Sequence, residues 1–137
     1  MVLVGLFAWQ LGGRALWLVP AAFVAVMALG GALGLAGIGV PFVEAGIALS
    51  VVVLGVAVAL GVRTPVAVAM AMAGVFAVFH GHAHGAEMPE TVAGMTYGLG
   101  FLLGTALLHV AGIAVGCSVG GLGDRYGQAT TRAVGGV

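Results

Sequence analysis

The residues of this chain best suited to chemistry lie in one stretch, 79–87, which reads F-H-G-H-A-H-G-A-E and holds three of the chain's four histidines. His80, His84 and Glu87 are spaced i, i+4 and i+7, so a helix would place them on one face. His82 would point about 200° away from His80, at about 100° per residue. Two imidazoles and a carboxylate suit Ni, Co, Zn, Cu or Fe(II), but not Mg or Ca, which prefer oxygen ligands. The spacing therefore predicts a site for a divalent transition metal.

Each of these residues also has a plainer interpretation. The cluster could be a group of polar residues where a helix end meets water. His109 lies inside an apolar run, and it is either a second metal or proton station or a neutral imidazole bonded to a neighbouring helix. Glu44 opens another apolar run, either as part of an acidic vestibule for cations or as a carboxylate stabilised by a helix dipole. The predicted metal-handling set is His80, His82, His84, Glu87 and His109, with Glu44 on the transport path.

The composition defines the environment that must hold these residues. Of 137 residues, 62% are hydrophobic and 6% are charged, against about 45–50% and about 25% in soluble domains. The mean hydropathy is +1.25. Zero net charge, with four basic residues, argues against a basic patch for nucleic acid. A single cysteine excludes an intramolecular disulfide framework and a Cys-rich zinc site. We therefore expect an integral membrane protein whose partners include the lipid bilayer and exclude nucleic acid.

The apolar runs predict an all-α, polytopic transmembrane helical bundle that forms one domain, residues 1–137. A run of about 18 or more apolar residues is long enough for a spanning helix. Residues 1–11 would form only a partial span, since a helix of that length covers about 16 Å. Short connections between the runs predict antiparallel neighbours. The four complete spans are predicted at about 16–35, 43–62, 65–87 and 95–119.

Glycine is abundant, with 26 residues, and small residues allow membrane helices to approach closely. Its spacing predicts close packing within the chain, and contacts between copies in a homo-oligomer are the alternative. Gly81 and Gly85, which flank the candidate ligands, could serve either local unwinding or close backbone approach. The other glycines spaced for packing are Gly30 and Gly34, Gly100 and Gly104, and Gly112, Gly116 and Gly120.

Charge placement predicts the orientation. With the spans alternating in direction, Arg14, Arg63 and Arg125, together with Arg132, fall on one side, which the positive-inside rule makes cytoplasmic. The His80–Glu87 end then faces outward, on the periplasmic side. That side also carries the other glutamates, Glu44 and Glu90. Such an arrangement suits cation entry better than export.

Residues 79–87 resemble the HupE/UreJ family of nickel and cobalt permeases, whose motif F-H-G-x-[AV]-H-G-x-E is present at every fixed position. Residues 11–17, 41–48 and 105–109 resemble the family as well. The resemblance implies a multi-pass carrier in the bacterial inner membrane that admits Ni²⁺ or Co²⁺ as cargo, with no permanently bound cofactor. It implies that His80, His84 and Glu87 match the functional motif. It also implies that Glu44 and His109 occupy family positions.

The function expected on these grounds is nickel or cobalt uptake that supplies hydrogenase or urease maturation. An enzyme is not expected, because the sequence offers no nucleophile–base pair. The family's cleaved signal, its first-helix motif H-x5-D-H and its last helix have no counterpart in residues 1–137, which predicts a fragment. The alternatives are a membrane-bound metal-binding accessory protein without transport and an inactive fragment of such a permease.

Overall fold

A computed structural model describes the backbone of residues 1–89 and 94–134, and the side chains of residues 1–89 and 94–121. The regular structure within these ranges is helical, which confirms the all-α prediction. Two helices and the first 28 residues of another are long and apolar enough to cross a membrane: α2, α4 and Gly94–Gly121 of α5. The five helices are α1 (Val2–Leu11), α2 (Ala15–Leu35), α3 (Val43–Ala59), α4 (Val66–Ala86) and α5 (Gly94–Val134).

The predicted span 43–62 is too long, because α3 ends at Ala59. Gly61 takes a left-handed conformation with φ 62°, and two hydrogen bonds of a Schellman turn close the helix. The Val62 N–H donates to the carbonyl of Ala57 (2.9 Å), and the Gly61 N–H donates to that of Val58 (3.1 Å). At 17 residues, α3 covers about 26 Å. Beside the three helices of spanning length, α1 and α3 are two shorter apolar helices, and together they form the predicted helical bundle.

The other predicted ends lie closer to the observed ones. α2 and α4 match the predicted spans within one residue at each end. Pro65 occupies the N-cap position of α4 and provides no side-chain hydrogen bond. α5 continues past the predicted end at 119 as far as Val134. The side chains of Arg125 and Arg132 and the whole of Glu90 lie outside the described residues.

α2 and α4 form the most extensive helix pair because glycines on both helices let the backbones touch. A Cβ added to Gly81 would collide with the Met27 carbonyl group, and one on Gly85 would collide with that of Gly31. From the α2 side, a Cβ added to Gly30 would collide with the Val78 backbone of α4. The predicted packing role of Gly30 and Gly34 is confirmed. The same contacts show that α2 and α4 run in the same direction.

α1 packs along α5 in the same manner. Gly112 lies against the backbone of Val2, while Gly116 and Gly120 lie against the indole of Trp9, so the predicted stripe on α5 is confirmed. The close packing within the chain predicted for Gly100 and Gly104 is not found, because no described atom outside their own helix lies within 4 Å of a Cβ built on either residue. The alternative, contacts between copies of the chain, stays a prediction. Both glycines lie on a face of α5 that no other described helix covers.

The carboxamide of Gln10 fixes where α1 ends relative to α3. Its Nε2 donates to the carbonyls of Ala57 (3.2 Å) and Val62 (2.8 Å), at the end of α3. Arg14 and Arg63 follow these two helix ends in the chain, so they lie at the same end of the bundle. α4 runs away from that end, which places residues 80–87 at the opposite one.

Candidate metal site

Between α2, α4 and α5 lie two sets of ring contacts, which together we call the histidine column: His84 with Phe101, and His80 and His109 with Phe23. The His84 imidazole stacks on the Phe101 ring, with centroids 5.1 Å apart and planes 7° apart. One turn away along α4, the His80 ring meets Phe23 at 5.7 Å and 63°. The His109 ring meets the same phenyl group at 5.1 Å and 89°. The column therefore leads from the motif end of the bundle to a buried histidine.

The glycines of the motif determine which way its histidines face. Gly81 and Gly85 allow the α4 backbone to lie directly against α2. α4 remains a continuous helix from Val66 to Ala86. Close backbone approach, and not unwinding, is thus the role of these two glycines. His80 and His84 each precede one of them in the sequence, so their side chains lie on the adjoining face, against rings of α2 and α5.

His80 is held in an orientation that leaves one ring nitrogen available. Its Nδ1 donates to the carbonyl of Phe76 at 2.9 Å. A carbonyl only accepts, so Nδ1 carries the proton of the neutral ring and Nε2 keeps its lone pair. Fixing the tautomer through the second nitrogen is the usual way in which proteins orient a histidine ligand. His80 can therefore present Nε2 to a metal.

His82 lies apart from the column, as the helical spacing predicts. Its Nε2 donates to the carbonyl of Ile38 at 2.9 Å and so ties α4 to the connection between α2 and α3. Its Nδ1 is buried, with no hydrogen-bond partner among the described residues. The predicted metal role of His82 stays a prediction. In the structure, this imidazole holds α4 against the connection between α2 and α3.

The two glutamates of the predicted set are both exposed. Glu87 directly follows the last residue of α4. Glu44 lies in the first turn of α3, and Gly46 packs against the Phe79 ring, which places this turn beside the motif. Within residues 1–89 and 94–121, no three His, Cys, Asp or Glu side chains lie close enough together to hold a metal ion. The structure places His80 and His84 one turn apart on α4 but does not assemble the predicted His80, His84 and Glu87 group.

His109 is buried, with 1% of its surface exposed. Neither its Nδ1 nor its Nε2 has a hydrogen-bond partner among the described residues. These residues therefore do not show the alternative interpretation, a neutral imidazole hydrogen-bonded to a neighbouring helix. The ring also borders an open groove of about 290 Å³ between α2 and α5. Apart from His109, the described lining is apolar: Leu16, Trp17, Pro20, Ala21, Val24, Ala106, Val110 and Ile113.

Four residues around the histidines were missed by the sequence analysis. Thr105 donates its hydroxyl hydrogen to the Met27 sulfur, with Oγ1 and Sδ 3.6 Å apart and both side chains buried. Phe23 and Phe101 supply the two phenyl rings of the column. Spacing could have found two of them, because Phe101, Thr105 and His109 recur every four residues on one face of α5. No sequence signal marked Phe23 and Met27, which contribute from another helix.

Comparisons with known proteins agree with the family resemblance of residues 79–87. The sequence profile of the family described as HupE / UreJ protein matches residues 1–137. The protein named Protein HupE from Rhizobium leguminosarum bv. viciae is 48% identical over 136 residues, which cover 99% of this chain and 70% of that protein. No solved structure matches the chain.

Proposed function

We propose that this chain, which belongs to the HupE/UreJ family, carries Ni²⁺ or the chemically similar Co²⁺ through the bacterial inner membrane into the cell, where the metal serves hydrogenase or urease maturation. The observation that carries the proposal is the histidine column, in which His84 and His80 lead from one end of the bundle towards the buried His109. Ionisable side chains within membrane helices are costly to bury, and those that occur mark functional sites such as ion pathways.

The entry step rests on His80 and His84. Their i, i+4 spacing on α4 allows two imidazole nitrogens to bind one ion, and the Phe76 carbonyl keeps His80 Nε2 free for it. Imidazoles suit Ni²⁺ and Co²⁺. A transported ion must also leave, so a partial ligand set suits a carrier better than a closed four-ligand site does.

The exposed carboxylates of Glu44 and Glu87 lie at the same end of the bundle as the motif histidines. They act before and during entry of the ion. Glu44 and Glu87 raise the local concentration of divalent cations there. Glu87 can serve as a third ligand once an ion binds, because it directly follows α4 and its side chain is exposed. His82 supports this end of α4 through its bond to Ile38.

The direction of transport follows from charge. Arg14 and Arg63 lie at the end of the bundle opposite the motif, which the positive-inside rule assigns to the cytoplasm. Ions would then enter from the periplasmic side, down the membrane potential. For a divalent ion that potential supplies about 4.6 kcal/mol per 100 mV.

Uptake of radioactive nickel by intact cells tests this function. His84→Ala should reduce uptake to the level of cells that lack the protein. The matched control is Val75→Ala on the same helix, where the side chain is 59% exposed, and it should leave uptake unchanged. Membrane levels are equalised by immunoblot. Equal uptake by all three proteins would overturn the proposal, and nickel binding without uptake would favour a metal-binding accessory protein.

A further inference from the structure

We propose that His109 forms an inner transit site for the transported cation, with the Met27 thioether and the Thr105 hydroxyl as neighbouring donors and Phe23 between it and the entry histidines. This inference rests on the proposed function and adds a second station to the path. The ion would leave His80, pass the Phe23 ring and bind His109 before it continues inward.

The first support is the state of the His109 ring. A neutral imidazole has one N–H donor and one lone pair, and both are buried here with no described hydrogen-bond partner. Buried polar side chains in native proteins are almost always paired, so an unpaired one calls for a specific explanation. A lone pair reserved for a passing cation provides one, because the ligand is present only during transport.

The second support is the set of donors on the two helices that meet at His109. Thr105 lies one turn from His109 on α5, and Met27 lies one turn from Phe23 on α2. The Thr105 hydroxyl contacts the Met27 sulfur, so the two donors lie together. Nitrogen and thioether sulfur favour Ni²⁺ and Co²⁺ over Mg²⁺ and Ca²⁺. All three groups are neutral, so they would hold the ion loosely enough to release it.

The third support is continuity with the entry site. Phe23 contacts the rings of both His80 and His109, so a single phenyl group lies between the two imidazoles. An ion that leaves His80 therefore passes this phenyl group to reach its next nitrogen ligand.

The test compares variants of the purified full chain in liposomes that contain a nickel-sensitive dye. His109→Leu removes the ligand but retains an apolar side chain of similar volume, and we expect Ni²⁺ influx to fall by about tenfold or more. His109→Cys restores a metal ligand at the same place and should recover most of the influx. Equilibrium Ni²⁺ binding should persist in both variants, since the entry histidines remain. Leu107→Ala, at a position 61% exposed on the same helix, is the control.

The outcomes separate the two proposals. If the unsubstituted chain transports Ni²⁺ and His109→Leu transports it equally fast, the inner site is overturned and the proposed function stands. If His109→Leu and His109→Cys are equally slow although both keep the thermal stability of the parent, His109 acts through packing and the inner site is again overturned. If the unsubstituted chain gives no influx above protein-free liposomes, both proposals fall.

Discussion

The imidazole of His84 and the phenyl ring of Phe101 lie parallel, with centroids 5.1 Å apart and planes 7° apart. His84 belongs to the motif on α4, whereas Phe101 belongs to α5, so a different helix orients the outermost ring of the histidine column. The stacking fixes the plane of the imidazole and therefore the direction of its nitrogen lone pair. The ability of the motif to bind an ion thus depends on a residue outside the motif.

Replacing Phe101 should weaken metal binding. An aromatic pair contributes about 0.5–1.5 kcal/mol beyond the area that it buries, which corresponds to about a two- to tenfold increase in the nickel Kd for Phe101→Leu. Isothermal titration of the purified protein measures this change. Leu99→Ala, at a position 66% exposed near the start of α5, is the control and should leave the Kd unchanged. An unchanged Kd for Phe101→Leu would show that α4 alone orients His84.

Adding one methyl group at Gly81 should destabilise the bundle. The new Cβ would collide with the Met27 carbonyl group, so α2 and α4 would have to separate, and overpacking of this kind costs about 1–3 kcal/mol. We expect a lower Tm for Gly81→Ala in detergent. Gly55→Ala is the matched control, because nothing described lies within 4 Å of its added Cβ, and helix propensity favours alanine there by about 1 kcal/mol. Equal Tm values for the two variants would contradict the close approach.

Removing the carboxamide of Gln10 should loosen the end of α3. Its Nε2 donates to two carbonyls there, and each such bond contributes about 0.5–1.5 kcal/mol. Gln10→Leu should therefore lower the thermal stability by roughly 1–3 kcal/mol, while the nickel Kd stays the same because the column is at the other end. Leu60→Ala, at a position 74% exposed, controls for substitution near this turn. A change in nickel affinity without a change in stability would refute the assigned role.

Substituting Met27 separates ligand chemistry from packing. Met27→Leu keeps the buried volume, and swaps of this kind usually cost less than about 1.5 kcal/mol. The thioether is lost, so we expect slower Ni²⁺ influx into liposomes at nearly unchanged Tm. Met27→Ala, which opens a cavity at a fully buried position, should lower the Tm by contrast. Unchanged Ni²⁺ influx for Met27→Leu would show that the Met27 sulfur is not part of the inner site.

Much of this architecture could be predicted from the sequence. Hydropathy placed α2 and α4 within one residue of their ends, and glycine spacing identified the contacts of Gly30 and Gly112. The end of α3 was missed because Gly61 closes the helix inside an apolar run, where hydropathy gives no signal for a turn. Spacing also placed His80 and His84 on one face and His82 away from it.

The composition of the column could not be predicted, because it depends on contacts between distant parts of the chain. Phe23 meets His80 and His109 only after α2, α4 and α5 have packed together. Periodicity within one helix cannot identify such neighbours. The outcome for Gly100 and Gly104 has the same origin, since small-residue spacing shows that a face can pack closely but not whether a neighbouring helix covers it.

The most direct test of the central claim is the initial rate of Ni²⁺ influx into liposomes that contain the purified chain, compared with the same chain carrying His80→Ala. A membrane potential, negative inside, is imposed in both cases, and the amounts of protein are matched. We predict rapid influx for the unsubstituted chain and influx at the protein-free level for His80→Ala. Equal influx through both proteins would contradict the assignment of the histidine column as the path of the ion.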